Sequence, residues 1–186
     1  TPYICHVLTE NGYNDLAYKL LLREQYPGWL YPVTMGATTI WERWNSMMPD
    51  RTIPDNGMNS FNHYSYGAIG DWLYRDAVGL HETSAGFKTM AIKPHPGADF
   101  TQMRAEQMTP YGRAAAEWRK QGEEFTLEVV IPVNTTAEVY VPSSSQDAVM
   151  LDGVAAGKSS YVKVKGYEDG YTLIEVGSGR YTFTAK

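Results

Sequence analysis

Thr126-Leu127-Glu128-Val129-Val130-Ile131 sets Thr126, Glu128 and Val130 against Leu127, Val129 and Ile131. That period of two belongs to a strand with one face in a core. Ala137 to Val141 repeats the pattern. From Gly86 onward, turn signals at Pro94-His95-Pro96-Gly97, Gln121-Gly122, Pro132, Pro142, Asp152-Gly153 and Asp169-Gly170 predict about seven or eight short strands. Asp152-Gly153 and Asp169-Gly170 are expected at tight hairpin corners, because glycine tolerates positive φ. The expected architecture of residues 86–186 is an antiparallel β-sandwich.

Upstream the period changes, and residues 1–85 hold four of the five tryptophans. Pro2 to Glu10 reads as a helix capped by Asn11-Gly12, and Tyr13, Leu16, Ala17, Leu20 and Leu21 mark one face of a second. Tyr26-Pro27-Gly28 stops that helix, Trp29 to Ile40 is expected to be extended, and Ser46 to Met58 to form a surface loop. A further helix is expected from Asn59 or Ser60 to Gly79, with Phe61, Tyr64, Ala68 and Trp72 on one face and Gly67 and Gly70 allowing a neighbour to approach closely. So few helical hairpins cannot bury every face of their aromatics, so the helical part reads as incomplete.

Composition narrows the function. With 43% hydrophobic and 20% charged residues, the chain is globular rather than disordered or fibrous. Sixteen basic against 21 acidic residues leave a charge of -5, and no Lys/Arg cluster forms the phosphate-tracking patch that a nucleic-acid partner requires. No run approaches the roughly 20 apolar residues of a membrane-spanning segment, and the N-terminus lacks a basic region followed by an apolar stretch. Cys5, a lone cysteine, is expected to be a small buried residue. There is no glycine-rich phosphate cradle, nucleophile elbow or metal-binding histidine pair, so neither a cofactor nor a metal is expected. Asp50, Asp55 and Asn56 lack the ligand alternation of a calcium loop and read as solvated. Asp71 and Asp76, five apart on a helix, do not share a face, and His6, His81 and His95 receive no role.

The chemistry concentrates in Gly36-Ala37-Thr38-Thr39-Ile40-Trp41-Glu42-Arg43-Trp44-Asn45. Sugar rings stack their C–H faces on indole, and glycosidic cleavage needs a carboxylate to protonate the leaving oxygen or to activate water. Glu42 is the catalytic candidate, and Trp41 and Trp44 are substrate-binding candidates, one of them expected to be core instead. Arg43 is assigned to structure.

The Ala-Thr-Thr-Ile-Trp-Glu-Arg-Trp run, the stretch Asn62-His63-Tyr64 followed by Gly67 and Asp71-Trp72-Leu73-Tyr74, then Pro96-Gly97 and Thr109-Pro110-Tyr111-Gly112, together resemble the bacterial α-L-rhamnosidases of glycoside hydrolase family 78. The resemblance covers essentially the whole chain in motif order. It implies that residues 1–85 are the last part of an (α/α)6 barrel and 86–186 the C-terminal β-sandwich. It further implies an inverting hydrolase acting on terminal α-L-rhamnose of glycans or glycosides, with Glu42 as general base and His63 binding a rhamnose hydroxyl or orienting the base and its water. The general acid would lie upstream, so the remainder of the barrel is an expected partner and these 186 residues alone are expected to be inactive. The alternatives are a non-catalytic carbohydrate-binding or structural sandwich module, or a related barrel glycosidase acting on another sugar.

Overall fold

In the computed structural model, which describes residues 2–54 and 57–186, helix α1 (Ile4–Glu10) turns into α2 (Asn14–Leu21) through Gly12 at φ +80. The Gly12 amide donates to Thr9 O at 3.0 Å and the Tyr13 amide to Leu8 O at 2.7 Å, satisfying carbonyls that the helix end leaves open. Only a residue tolerant of the left-handed region makes this turn without strain. Asn11-Gly12 therefore caps the helix as expected. The chain clusters into two compact units, Thr1–Trp72 and Leu73–Lys186.

In the first unit the centre is Trp72, fully buried. Its indole N–H donates to Thr9 Oγ1 at 2.9 Å, and Thr9 Oγ1 donates to Asn14 Oδ1 at 3.1 Å. Tyr18 meets the Trp72 ring edge-on at 5.0 Å. This contact selects which side of α2 faces inward: Ala17 and Tyr18 are buried, whereas Tyr13 and Leu16, expected on the buried face, are exposed. Cys5 is buried, as expected.

Two helix expectations are corrected. Trp29 to Ile40 is not extended throughout, since α3 (Leu30–Thr34) occupies its first half. Pro32 does not interrupt α3 because it lies in the first turn, where the amide has no intrahelical acceptor to lose. The later helix starts only at Ser65, as a 3-10 turn (Ser65–Ala68) running into α4 (Ile69–Trp72) and then a π-helical segment (Leu73–Val78). Phe61 and Tyr64 precede it, and Tyr64 is exposed. The Asn62 amide donates to Ser60 Oγ and the Ser65 amide to His63 Nδ1, local bonds that compete with a helical start. No close neighbour stands against Gly67 or Gly70 among the described residues, where a Cβ would meet nothing within 4 Å.

Asp71, given no catalytic partner by its spacing, is 3.2 Å from His6 Nε2 through Oδ2. Asp50 accepts from the Thr52 hydroxyl and amide, which holds its carboxyl below the usual range. The other two members of that loop cluster, Asp55 and Asn56, lie outside the described residues.

The second unit turns from helix to strand at Gly79, whose φ is +89. A Cβ there would lie 2.2 Å from the Lys93 carbonyl carbon, so the site demands glycine on both counts. Eleven strands follow among the described residues, in two sheets. One sheet orders β1 (Leu80–Glu82), β2 (Thr89–Ile92), β6 (Thr136–Pro142), β10 (Tyr171–Val176) and β9 (Val162–Glu168). The other orders β3 (Gln102–Thr109), β4 (Gly112–Gln121), β5 (Glu124–Ile131), β11 (Gly179–Ala185), β7 (Met150–Leu151) and β8 (Val154–Ala155). All pairs are antiparallel except β2 with β6, which run parallel. The core lies between the sheets: Leu127, Val129 and Ile131 from β5 with Trp118 and Phe183 on one side, and Ile92, Val139 and Ile174 on the other.

Burying each large apolar side chain contributes roughly 1.5–3 kcal/mol, which favours the register that turns 127, 129 and 131 inward. The two predicted corners are two-residue hairpin turns, with φ +47 and +83 at Asp152-Gly153 and +51 and +82 at Asp169-Gly170. Two positive φ values in succession match the right-handed twist of the flanking strands.

Candidate functional site

The Glu42 segment is delivered by the end of α3. Gly36, at φ +90, donates its amide to Val33 O at 2.9 Å while Ala37 donates to Pro32 O at 2.9 Å, which closes the helix and redirects the chain. The segment then runs alongside residues 60–63. The His63 amide donates to Ile40 O and the Glu42 amide to Ser60 O, both at 2.8 Å, and the Thr39 hydroxyl donates to Phe61 O. Motifs about twenty residues apart in sequence are thus held side by side by their backbones.

Trp41 and Trp44 line one cavity, each within its own group of rings. Trp41 is buried and meets Phe61 edge-on at 5.3 Å. Trp44 stacks on Tyr66 at 4.8 Å with 22° between planes and meets Trp29 edge-on at 5.3 Å, while the Trp29 indole N–H donates to Tyr66 O at 2.9 Å. Offset and edge-on contacts of this kind are the favoured aromatic arrangements. The rings border a cavity of about 300 Å³ whose wall also takes Pro32, Val33, Ile40 and Arg43. That volume is at the lower end of small-molecule sites. The Trp44 indole N–H is buried and unpartnered among the described residues, a desolvated donor costing about 1–3 kcal/mol.

Neither Glu42 nor His63 lines this cavity. Both are half-buried, and the structure joins them through backbone rather than through a shared hollow. His63 Nδ1 accepts from the Ser65 amide at 3.2 Å and its ring stacks on Tyr64 at 5.0 Å. An imidazole whose Nδ1 is an acceptor carries its proton on Nε2 when neutral, which makes Nε2 a donor. No group of three or more metal-ligating side chains exists among the described residues.

Trp29 and Tyr66 complete the cavity and were not singled out by spacing, being 37 residues apart. Ser46 and Asn59, which brace the segment after Glu42, carried no signal either. The nearest clue was Asn59 lying beside the aromatic run.

Residues 1–77 match the family model of the bacterial alpha-L-rhamnosidase 6 hairpin glycosidase domain, and residues 79–156 that of the bacterial alpha-L-rhamnosidase C-terminal domain. An alpha-L-rhamnosidase of Formosa agariphila is 42% identical over 186 residues, which is 100% of this chain and 20% of the relative. The crystal structure of the Streptomyces avermitilis alpha-L-rhamnosidase complexed with L-rhamnose aligns with a TM-score of 0.91 at 39% identity, covering 100% of this chain and 17% of that one. The alpha-L-rhamnosidase from Dictyoglumus thermophilum aligns at 0.86 with 32% identity, over 100% of this chain and 20% of that one. The chain spans a fifth or less of the length of these relatives. With a helical unit and a β-sandwich in the same order, and with likeness running from end to end, this chain belongs to the bacterial α-L-rhamnosidases.

Proposed function

We propose that these residues are part of a longer inverting glycoside hydrolase that removes terminal α-L-rhamnose from glycans or glycosides. The observation that carries this reading is the match over the whole chain, at 39% identity and a TM-score of 0.91, to a rhamnosidase solved with L-rhamnose. The helical part is read as ending, and the sandwich as beginning, at the helix-to-strand change at Gly79, because the helical run continues to Val78 and β1 (Leu80–Glu82) already belongs to a sheet.

In an inverting hydrolase one carboxylic acid protonates the leaving oxygen, while a carboxylate roughly 6.5–9.5 Å away takes a proton from the attacking water. Glu42 is the base: among the described residues no hydrogen bond or ion pair occupies its carboxylate. His63, with Nδ1 engaged by the Ser65 amide, offers Nε2–H to a sugar hydroxyl. Trp44, whose ring lines the cavity, faces the sugar, whereas Trp41, 5% exposed, packs the wall behind it. The apolar cavity suits the C6 methyl of a deoxysugar, which gains from nonpolar contact where a hydroxymethyl would demand a partner. The acid comes from the remainder of the barrel, and Ile4, Val7, Tyr13, Leu16 and Val33, all exposed, offer apolar surface for it to cover. The 186 residues alone then hold one carboxylate of the pair and do not turn over.

The sandwich is read as a structural cap. Trp118 donates to Ala77 O at 2.9 Å and the His95 amide to Asp76 O at 3.0 Å, so the sandwich satisfies carbonyls of the π-helical segment. The test of the enzymatic reading is hydrolysis of an aryl α-L-rhamnoside by the longer chain, followed by proton NMR from the first seconds. The inverted anomer of L-rhamnose is expected first, with the 186-residue chain inactive. Initial release of the retained anomer, or turnover by the short chain alone, would refute the mechanism.

A further inference from the structure

Glu42 lies in no helix or strand, within the irregular run from Trp41 to Asn45. A catalytic carboxylate has to be held to within about 0.5 Å of its working position, which loop backbone does not achieve unaided. The bonds around Glu42 form a closed ring. Its amide donates to Ser60 O at 2.8 Å. The next residue, Arg43, donates its amide to Ser46 Oγ at 3.1 Å and accepts from the same hydroxyl at 3.0 Å. Ser46 is fully buried, and its carbonyl accepts from Asn59 Nδ2 at 2.9 Å. Asn59 is the neighbour of Ser60, where the ring began.

Two side chains complete this ring, and both reach backbone rather than each other. Ser46 spends one donor and one acceptor on the two polar groups of Arg43, which fixes the peptide plane that follows Glu42. Asn59 ties that turn to the irregular segment, beginning at Ser60, which holds Glu42 from the other side. The Asn59 Oδ1 atom is buried without a partner among the described residues, a cost in stability that an alanine would not carry. The donor end of the amide, not its burial, is what the ring uses.

We propose that Ser46 and Asn59 are positioning residues that aim the Glu42 carboxylate, setting turnover without touching the sugar. This rests on the reading of Glu42 as general base. The test is a double-mutant cycle in the longer chain, with Asn59→Asp, which keeps shape and removes the donor, crossed with Glu42→Gln on an aryl α-L-rhamnoside. Asn59→Asp is expected to lower kcat about 30-fold with KM changed less than about twofold, because displacement of a reacting group by an ångström can cost about 10²-fold. On the Glu42→Gln background the same change should alter the residual rate less than about twofold, since nothing remains to aim. Ser46→Ala reads the ring from its other member and serves if Asn59→Asp does not fold. Equal losses on both backgrounds, or a kcat within about twofold of wild type while Glu42→Gln is inactive, would overturn the positioning role and leave the base intact. Full activity of Glu42→Gln would overturn the base itself.

Discussion

Replacing Trp118 by phenylalanine tests how the sandwich holds the segment before it. Trp118 is fully buried in β4, stacked on Phe125 at 6.1 Å, and its indole N–H donates to Ala77 O at 2.9 Å. Phenylalanine keeps one ring in place but removes the donor and the second ring. Orphaning the Ala77 carbonyl costs about 1–3 kcal/mol. The volume left behind adds about 1–2 kcal/mol, for a total near 3 kcal/mol. At about 1.4 kcal/mol per factor of ten, the slowest amides of β4 and β5 should exchange about 100-fold faster. Hydrogen exchange followed by mass spectrometry on the 186-residue chain reads this strand by strand, which fluorescence does not, because the other four tryptophans lie in the first unit. Tyr161→Phe, at a residue 81% exposed, is the control and should stay within about 0.5 kcal/mol. An exchange rate in β4 and β5 changed less than about threefold would refute the account of the Trp118 bond.

Other outcomes follow from the same contacts. Gly79→Ala adds a Cβ 2.2 Å from backbone at φ +89 and should abolish soluble expression or cost at least about 3 kcal/mol, whereas Gly36→Ala, at φ +90 with nothing within 4 Å, should cost only the left-handed penalty of about 1–2 kcal/mol; urea midpoints of the two variants check the contrast. Burial pushes the His95 and His81 imidazoles below their ordinary value, with Asp76, Lys93, Arg75 and Glu82 the charged groups facing them. Below about pH 6.5 the unfolded chain binds protons that the folded chain refuses, so Tm should fall between pH 7.5 and 5.5, and less steeply in His95→Gln. A Tm that rises over that interval would contradict the burial of the two rings.

The sandwich was legible in the sequence because a period of two and glycine-marked corners are local signals. β7 and β8, at two residues each, are too short to show any period, and only the Asp152-Gly153 corner between them was legible. The pairing of β2 with β6 joins residues more than forty apart, and its parallel sense leaves no trace in either strand alone. In the helical unit, α3 was hidden by Pro32, a residue that breaks helices in their interiors and is tolerated in their first turn. The start of the later helix was read too early because hydroxyl and imidazole bonds around Ser60 and His63 win locally over helix propensity.

At the candidate site, the residue types around Glu42 were visible and their surroundings were not. The cavity depends on Trp29 meeting Tyr66, and the bracing of Glu42 on Asn59 meeting Ser46, contacts made by the fold across 37 and 13 residues. No spacing rule reaches that far. The family resemblance reached further than periodicity did in one respect, the rhamnosidase 6 hairpin glycosidase domain that residues 1–77 match.

The most direct measurement is kcat of the longer chain on an aryl α-L-rhamnoside, wild type beside Glu42→Gln, with equal folding shown by circular dichroism and melting. A general base removed in this way should lower kcat by about 10²-fold or more, within the range for acid–base catalysis, with KM little changed. Undiminished turnover by Glu42→Gln would contradict the account and return Glu42 to the wall of the fold.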